Sequence, residues 1–154
     1  MPVLARSRLR RTRLLLPAVE DLTQRILDAA GCPQALVSLD FIGDDRMRQL
    51  NRSYRGLDAT TDVLAFAMRE AYGPRTPLLG DVVISLDTAA RQAAARGHDL
   101  HREIAVLLVH GILHLLGFDH ERGAPEARRM QAKERAILRR LTPLPPLVTG
   151  RRTA

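Results

Sequence analysis

Val19, Leu22, Ile26 and Leu27 recur at helical spacing, and Gly31 and Pro33 close the run, so residues 17–30 predict an amphipathic helix. Residues 34–42 are rich in Leu, Val, Ile and Phe, alternate, and meet Gly43-Asp44-Asp45, the pattern of a strand entering a turn. Asp44 or Asp45 can cap a short helix through Met47, Leu50 and Tyr54. Polar residues 54–62 mark a loop carrying Arg55, and residues 63–67 resume an extended apolar pattern. After a turn-rich connection at 72–77, residues 79–85 read as a buried strand interrupted by Gly80 and Asp81. The alanine-rich stretch 86–96 ends at Gly97 and predicts a helix. Asp99 is placed to cap the next helix, whose residues 104–116 are apolar nearly all round and therefore buried. Pro125 opens a last helix running to about Leu141, with Met130, Glu134, Ile137 and Leu138 on neighbouring turns. These elements predict an α+β fold: one small mixed sheet of about four strands, packed with about five helices around a central buried one.

Composition narrows this picture. At 154 residues the chain is expected to be a single domain, 1–154, with a basic strand or arm at 1–13 and a loose, proline-bearing tail at 143–154. Trp is absent and Tyr and Phe number two and three, so the core must be aliphatic and binding by broad aromatic stacking is disfavoured. No apolar run approaches the length needed to span a bilayer, and a soluble protein is expected. The acid-free, arginine-rich opening shares its composition with organelle transit peptides, although a basic strand or arm accounts for it more simply. Cys32 is the only cysteine, which excludes an intramolecular disulfide and suits a reducing, cytoplasmic location.

Charge is concentrated at the two ends. Residues 1–13 carry five arginines and no acid, and residues 122–154 carry nine basic residues against Glu126 and Glu134. The remaining stretch, with ten basic and fifteen acidic residues, is net negative at −5. Clustered positive charge attracts polyanions by releasing condensed counterions, which makes nucleic acid the leading partner. Arginine used generally for surface solubility is the plainer alternative, since the chain has 23 arginines and one lysine.

Chemistry concentrates in His110-Gly111-Ile112-Leu113-His114-Leu115-Leu116-Gly117-Phe118-Asp119-His120. Histidines at i and i+4 share one helix face, Gly117 lets the chain leave the helix, and His120 can return as a third ligand. Three neutral imidazoles hold a divalent ion without cancelling its charge and leave one tetrahedral position open, the arrangement of catalytic zinc. The alternatives are ordinary buried histidines, or a structural zinc closed by Asp119 or Cys32. His98 and His101 flank the start of the same helix and are expected at its surface. The spacing resembles the metzincin proteases, but Gly111 stands where their catalytic glutamate would be, so peptidase activity is disfavoured. A zinc ion can still polarise a phosphoryl oxygen, so phosphodiester hydrolysis depends less on a side-chain base.

His110 to His120 matches H-G-x-L-H-L-x-G-[YF]-D-H, and on that motif the chain resembles the YbeY family of bacterial endoribonucleases. Agreement extends to Leu50-Asn51 with Tyr54-Arg55-Gly56, to Thr61-Asp62-Val63-Leu64 with Phe66, and to Gly80-Asp81 with Ile84-Ser85. Met130, Glu134, Ile137 and Leu138 fit the family's last helix, so the resemblance covers about residues 17–141. Ala65 and Ala67 depart from it, standing where serine and often proline are usual, and the arginine-rich opening is not part of the pattern. The resemblance implies one zinc ion on His110, His114 and His120, and cleavage of single-stranded RNA in maturation of the 3′ end of small-subunit ribosomal RNA. It further implies a role in ribosome quality control, with the small ribosomal subunit as a partner. Arg55 is implied as the residue contacting substrate or transition state, a role suited to a guanidinium's grip on two phosphate oxygens. A solvated loop arginine is the alternative there. Asp62 and Asp81 are expected either to orient neighbouring groups or to form turns. Two other functions stay open: a ribosome-assembly factor with a largely structural zinc, and a metzincin-like peptidase.

Overall fold

Alternation along the strands decides which helices lie on which side of the sheet. The computed structural model describes residues 3–7, 13–68, 77–118 and 123–149. The connection expected at 72–77 falls outside them except for Pro77. The elements in chain order are β1 (Val3–Ser7), β2 (Arg13–Leu14), α1 (Leu16–Ala29), β3 (Leu36–Ile42) and α2 (Asp44–Arg55). They continue with β4 (Val63–Ala67), β5 (Leu78–Ser85), α3 (Leu86–Arg96), α4 (Leu100–Leu115), α5 (Ala124–Leu141) and β6 (Val148–Thr149).

The main sheet has the order β1-β3-β5-β4. Parallel pairs join β1 to β3 and β3 to β5, and β4 closes one edge antiparallel to β5. The architecture is the mixed α+β arrangement that the pattern predicts, with five helices among the described residues.

Successive strand residues point to opposite faces. On one face Val37, Leu39, Phe41, Leu79, Val82 and Ile84 join the main core with residues of α1, α3, α4 and α5. On the other, Ile42, Leu64 and Val83 form a smaller cluster with Met47 of α2. Helix α4 is the central element of the main core. Ile104, Ala105, Leu108, Val109, Ile112 and Leu113 are all fully buried, because a helix apolar nearly all round leaves little surface suited to water. Among the described residues no helix is long and apolar enough to cross a membrane.

Two local expectations are revised. Asp44 does not cap α2: Gly43 holds the N-cap position, and the Asp44 carboxylate serves as a tertiary clasp. Its Oδ1 accepts hydrogen bonds from Ser85 Oγ and Thr88 Oγ1, both at 2.7 Å, and from Thr60 Oγ1 at 3.2 Å. Its Oδ2 pairs with Arg91 at 2.7 Å. Burial opposes ionisation of Asp44, but the hydrogen bonds from Arg91, Thr88 and Ser85 outweigh it and lower its pKa to about 2. The second revision concerns the tail, which is not loose as far as Thr149. Leu147 is fully buried, its N–H donates to His101 Nδ1 at 2.9 Å, and β6 pairs with β2. Prolines remove the periodicity that sequence reading depends on, yet they do not prevent one apolar side chain from docking.

Candidate metal centre on helix α4

Asp99 starts α4 as expected, its carboxylate accepting from the backbone N–H of Arg102 at 2.9 Å. Twelve residues after that cap, Gly111 is pressed against the sheet. A Cβ at Gly111 would stand 2.8 Å from Val82 Cγ1 and 3.5 Å from Val63 Cγ2. The glycine therefore lets the α4 backbone rest on β5 and β4. The position at which a metzincin-like site would need its glutamate is thus turned into packed valines.

His110 and His114 lie one turn apart on α4, the first partly buried and the second exposed. Leu116 ends the helix, and Gly117 leaves it with φ 103°, as its place in the motif predicts. His110 Nδ1 lies 2.7 Å from Glu134 Oε2 of α5. An ionised carboxylate only accepts, so Nδ1 carries the proton and Nε2 is the ring nitrogen that would meet a metal. The Glu134 hydrogen bond pushes the His110 pKa above the ordinary imidazole value, burial works against it, and the charges of Glu134 and Asp62 add to the rise.

His120 and Asp119 lie outside the described residues. Among the described residues no group of three His, Cys, Asp or Glu side chains is placed to hold a metal ion. The donors present nevertheless suit zinc: imidazoles at i and i+4, one of them oriented by a carboxylate behind it.

Arg55, expected in a loop, is instead the last residue of α2, which Gly56 ends in the left-handed conformation, on the opposite face of the sheet from α4. Its neighbour Tyr54 meets Phe66 of the edge strand β4 with ring centroids 5.0 Å apart, which sets this end of α2 beside that edge. Two other arginines of α2 are engaged by Asp58, Arg48 through two hydrogen bonds at 2.8 and 3.1 Å and Arg52 at 3.8 Å. The Arg55 side chain is exposed and makes no hydrogen bond or ion pair with another described residue. The structure brings His110 and His114 together on one helix and does not link Arg55 to them.

Asp62 accepts from its neighbour Val63 N at 2.7 Å, and its backbone oxygen accepts from Ser85 N at 2.9 Å, anchoring the start of β4 beside His110. Asp81 forms no turn: it sits within β5, in register with Ser38 and Phe66. His98 and His101 are less exposed than expected. His98 Nε2 and Arg96 both bind the fully buried Glu103, at 2.6 and 2.8 Å, and His101 receives the Leu147 N–H. Sequence reading assigned Glu134 no partner, since 24 residues separate it from His110. Its place at helical spacing on a mainly basic helix was the available signal.

The family model "Endoribonuclease YbeY" matches residues 9–142. An endoribonuclease YbeY of Pelotomaculum thermopropionicum is 53% identical over 123 residues, 77% of this chain and 80% of that protein. The Geobacter metallireducens protein of that name is 46% identical over 140 residues, 89% of this chain and 93% of its own length. In fold, the chain is similar to the solution structure of TM1509 from Thermotoga maritima, with a TM-score of 0.63 and 21% identity, covering 88% of this chain and 86% of that one. The arrangement of α4 against its sheet and the extent of these matches agree: this chain belongs to the YbeY family of endoribonucleases.

Proposed function

We propose that this chain cleaves single-stranded RNA by zinc-dependent hydrolysis in the cytoplasm. Its role there would be in ribosomal RNA maturation and ribosome quality control, working on the small ribosomal subunit. The observation that carries the reading is the His110–Glu134 hydrogen bond of 2.7 Å, with His114 one turn further along α4. It supports His110, His114 and His120 as the three ligands of one zinc ion. A carboxylate on Nδ1 fixes the ring orientation and raises the basicity of the other nitrogen, which is what a ligating imidazole needs. When bound, zinc lowers the pKa of water to about 7 and polarises a phosphoryl oxygen.

The chain's own residues supply the remainder. Glu134 holds His110 in one tautomer and one ring orientation. Gly111 lets α4 seat on the sheet, which fixes the height of both histidines above β4. Arg55 offers a guanidinium not tied to an acid among the described residues, suited to grip a scissile phosphate and offset charge developing on its oxygens. A peptidase function is disfavoured, because no glutamate follows His110 and a side chain there would meet Val82.

A fluorogenic single-stranded RNA assay tests the proposal. Zinc-loaded wild-type protein should cleave, His114→Ala should lose turnover with its loss of metal, and Arg55→Ala should cut kcat by about 100-fold with zinc retained, as removal of one charge-stabilising donor does. Undiminished cleavage by folded His114→Ala would remove the metal from the reaction.

A further inference from the structure

The positive charge of α5 is distributed in a way that leaves some of it without a counterpart. Between Ala124 and Leu141 the helix carries six basic residues and two acids, Glu126 and Glu134. Both acids are engaged elsewhere: Glu126 pairs with Arg129 at 3.1 Å and Glu134 holds His110 at 2.7 Å. Arg135 and Arg139, one turn apart, therefore share one side of α5 with no carboxylate of their own helix to answer them. Arg102 of α4 joins them across the helix pair. These three arginines, with Leu138 and Thr142, line a cleft of about 240 Å³, and no acid lines it among the described residues. Of the acids next to Arg102 in sequence, Glu103 is fully buried and bound by Arg96 and His98, and Asp99 receives the Arg102 backbone N–H. The Thr142 hydroxyl is likewise occupied, donating to Leu138 O at 2.8 Å.

We infer that this Arg102–Arg135–Arg139 cleft is a second phosphate-binding site, which takes the backbone of the RNA strand away from the cleaved bond. The inference rests on RNA being the polyanion that this chain acts upon. Three guanidinium groups around one cleft repel each other unless an anion lies between them, and their forked donors match phosphate oxygens in pairs. Position favours the same strand over a separate ligand. Arg102 precedes His110 by eight residues on α4, about 12 Å along the helix axis, so a strand passing His110 reaches the cleft within a few nucleotides. The cleft would then hold and direct long RNA without touching the reacting phosphate.

The experiment compares zinc-loaded wild-type protein with R102Q/R139Q, two exposed positions away from His110 and His114. R128Q/R140Q serves as a control that removes the same charge from α5 outside the cleft. Circular dichroism checks the fold of each. Affinity for a labelled single-stranded RNA long enough to span both sites is measured by anisotropy across a salt series. Turnover is measured on that RNA and on a dinucleotide reporter too short to span them. R102Q/R139Q should bind the long RNA several-fold more weakly, with a salt slope shallower by about 1.4, two lost phosphate contacts at about 0.7 each. Its KM for long RNA should rise with kcat unchanged, and dinucleotide turnover should stay at the wild-type level.

An unchanged slope, or an equal fall in R128Q/R140Q, would overturn the inference by reducing the cleft to part of a general positive field. Polyglutamate, titrated against the same proteins as an acidic-polypeptide probe, gives the other test: loss of its binding in R102Q/R139Q with RNA binding intact would also overturn the inference, assigning the cleft to an acidic protein surface. The slope reports on the cleft and turnover on the nuclease, so protein that binds RNA through the cleft but cleaves nothing refutes the nuclease reading alone.

Discussion

Replacing Gly111 by alanine adds one methyl group where α4 rests on β5. That carbon would stand 2.8 Å from Val82 Cγ1 and 3.3 Å from Val82 Cγ2, inside the ordinary contact range. Val82 is fully buried and β-branched, so it cannot rotate away cheaply. The helix must lift instead, at an overpacking cost of about 1–3 kcal/mol. Alanine's better helix propensity returns about 1 kcal/mol, which leaves a net loss of about 1 kcal/mol. For a domain of this size that lowers Tm by about 2–4 °C. Val82→Ala alone removes two buried carbons and costs about 2 kcal/mol, but it also removes the obstacle. Gly111→Ala made in that background should therefore stabilise by about 1 kcal/mol, giving a coupling of about 2 kcal/mol. Urea denaturation of the four proteins measures this cycle, and zinc titration should show weaker binding wherever α4 is lifted away from the sheet. If Gly111→Ala has the same effect in both backgrounds, or stabilises the wild type, α4 does not rest on Val82 and the reasoning fails.

Three further outcomes follow from particular contacts. Glu134→Ala should weaken zinc binding by about 10–100-fold while leaving the helix content intact, and a competition titration with a coloured chelator would read it; unchanged affinity would mean that Glu134 does not orient His110. Asp44, with its folded pKa lowered to about 2 from 3.8, contributes stability that is present above about pH 4 and lost as pH falls towards 2. Allowing for solvent screening of this partly exposed group, the contribution is about 1 kcal/mol, so the stability gap between wild type and Asp44→Asn should be open at pH 6 and nearly closed at the acid end; a gap constant with pH would contradict the assignment. Glu103→Ala removes a fully buried carboxylate from Arg96 and His98 and should cost about 2 kcal/mol in denaturation experiments, whereas a neutral change would show that the two hydrogen bonds merely replace those to water.

Much of the fold was legible because local patterns and tertiary packing agree. Residues 86–96 read as a helix and form one, since alanine content, the Ser85 cap and Gly97 all act within a few residues. The largely apolar circumference of α4 predicted its burial for the same reason: a helix with so little polar surface packs centrally. The i, i+4 histidines needed nothing beyond the helical repeat. Misreadings occurred where a short polar side chain had two possible partners. Asp44 stands at a helix start, where a cap is the local expectation, yet Ser85, Thr88 and Arg91 approach it from 41 to 47 residues away and win.

What the sequence determined by itself was therefore the five helices and the strands β3, β4 and β5, the concentration of positive charge at the ends, and the histidine motif that marks the family. Only the tertiary structure decided that Glu134 stands behind His110, that Gly111 is pressed on Val82, and that Arg102 faces Arg135 and Arg139 across a cleft that no acid lines among the described residues. The physical reason is range. Helical and strand periodicities are set by neighbours within a turn or two, whereas these contacts join elements whose separation along the chain carries no periodic signal and exist only after the elements have packed.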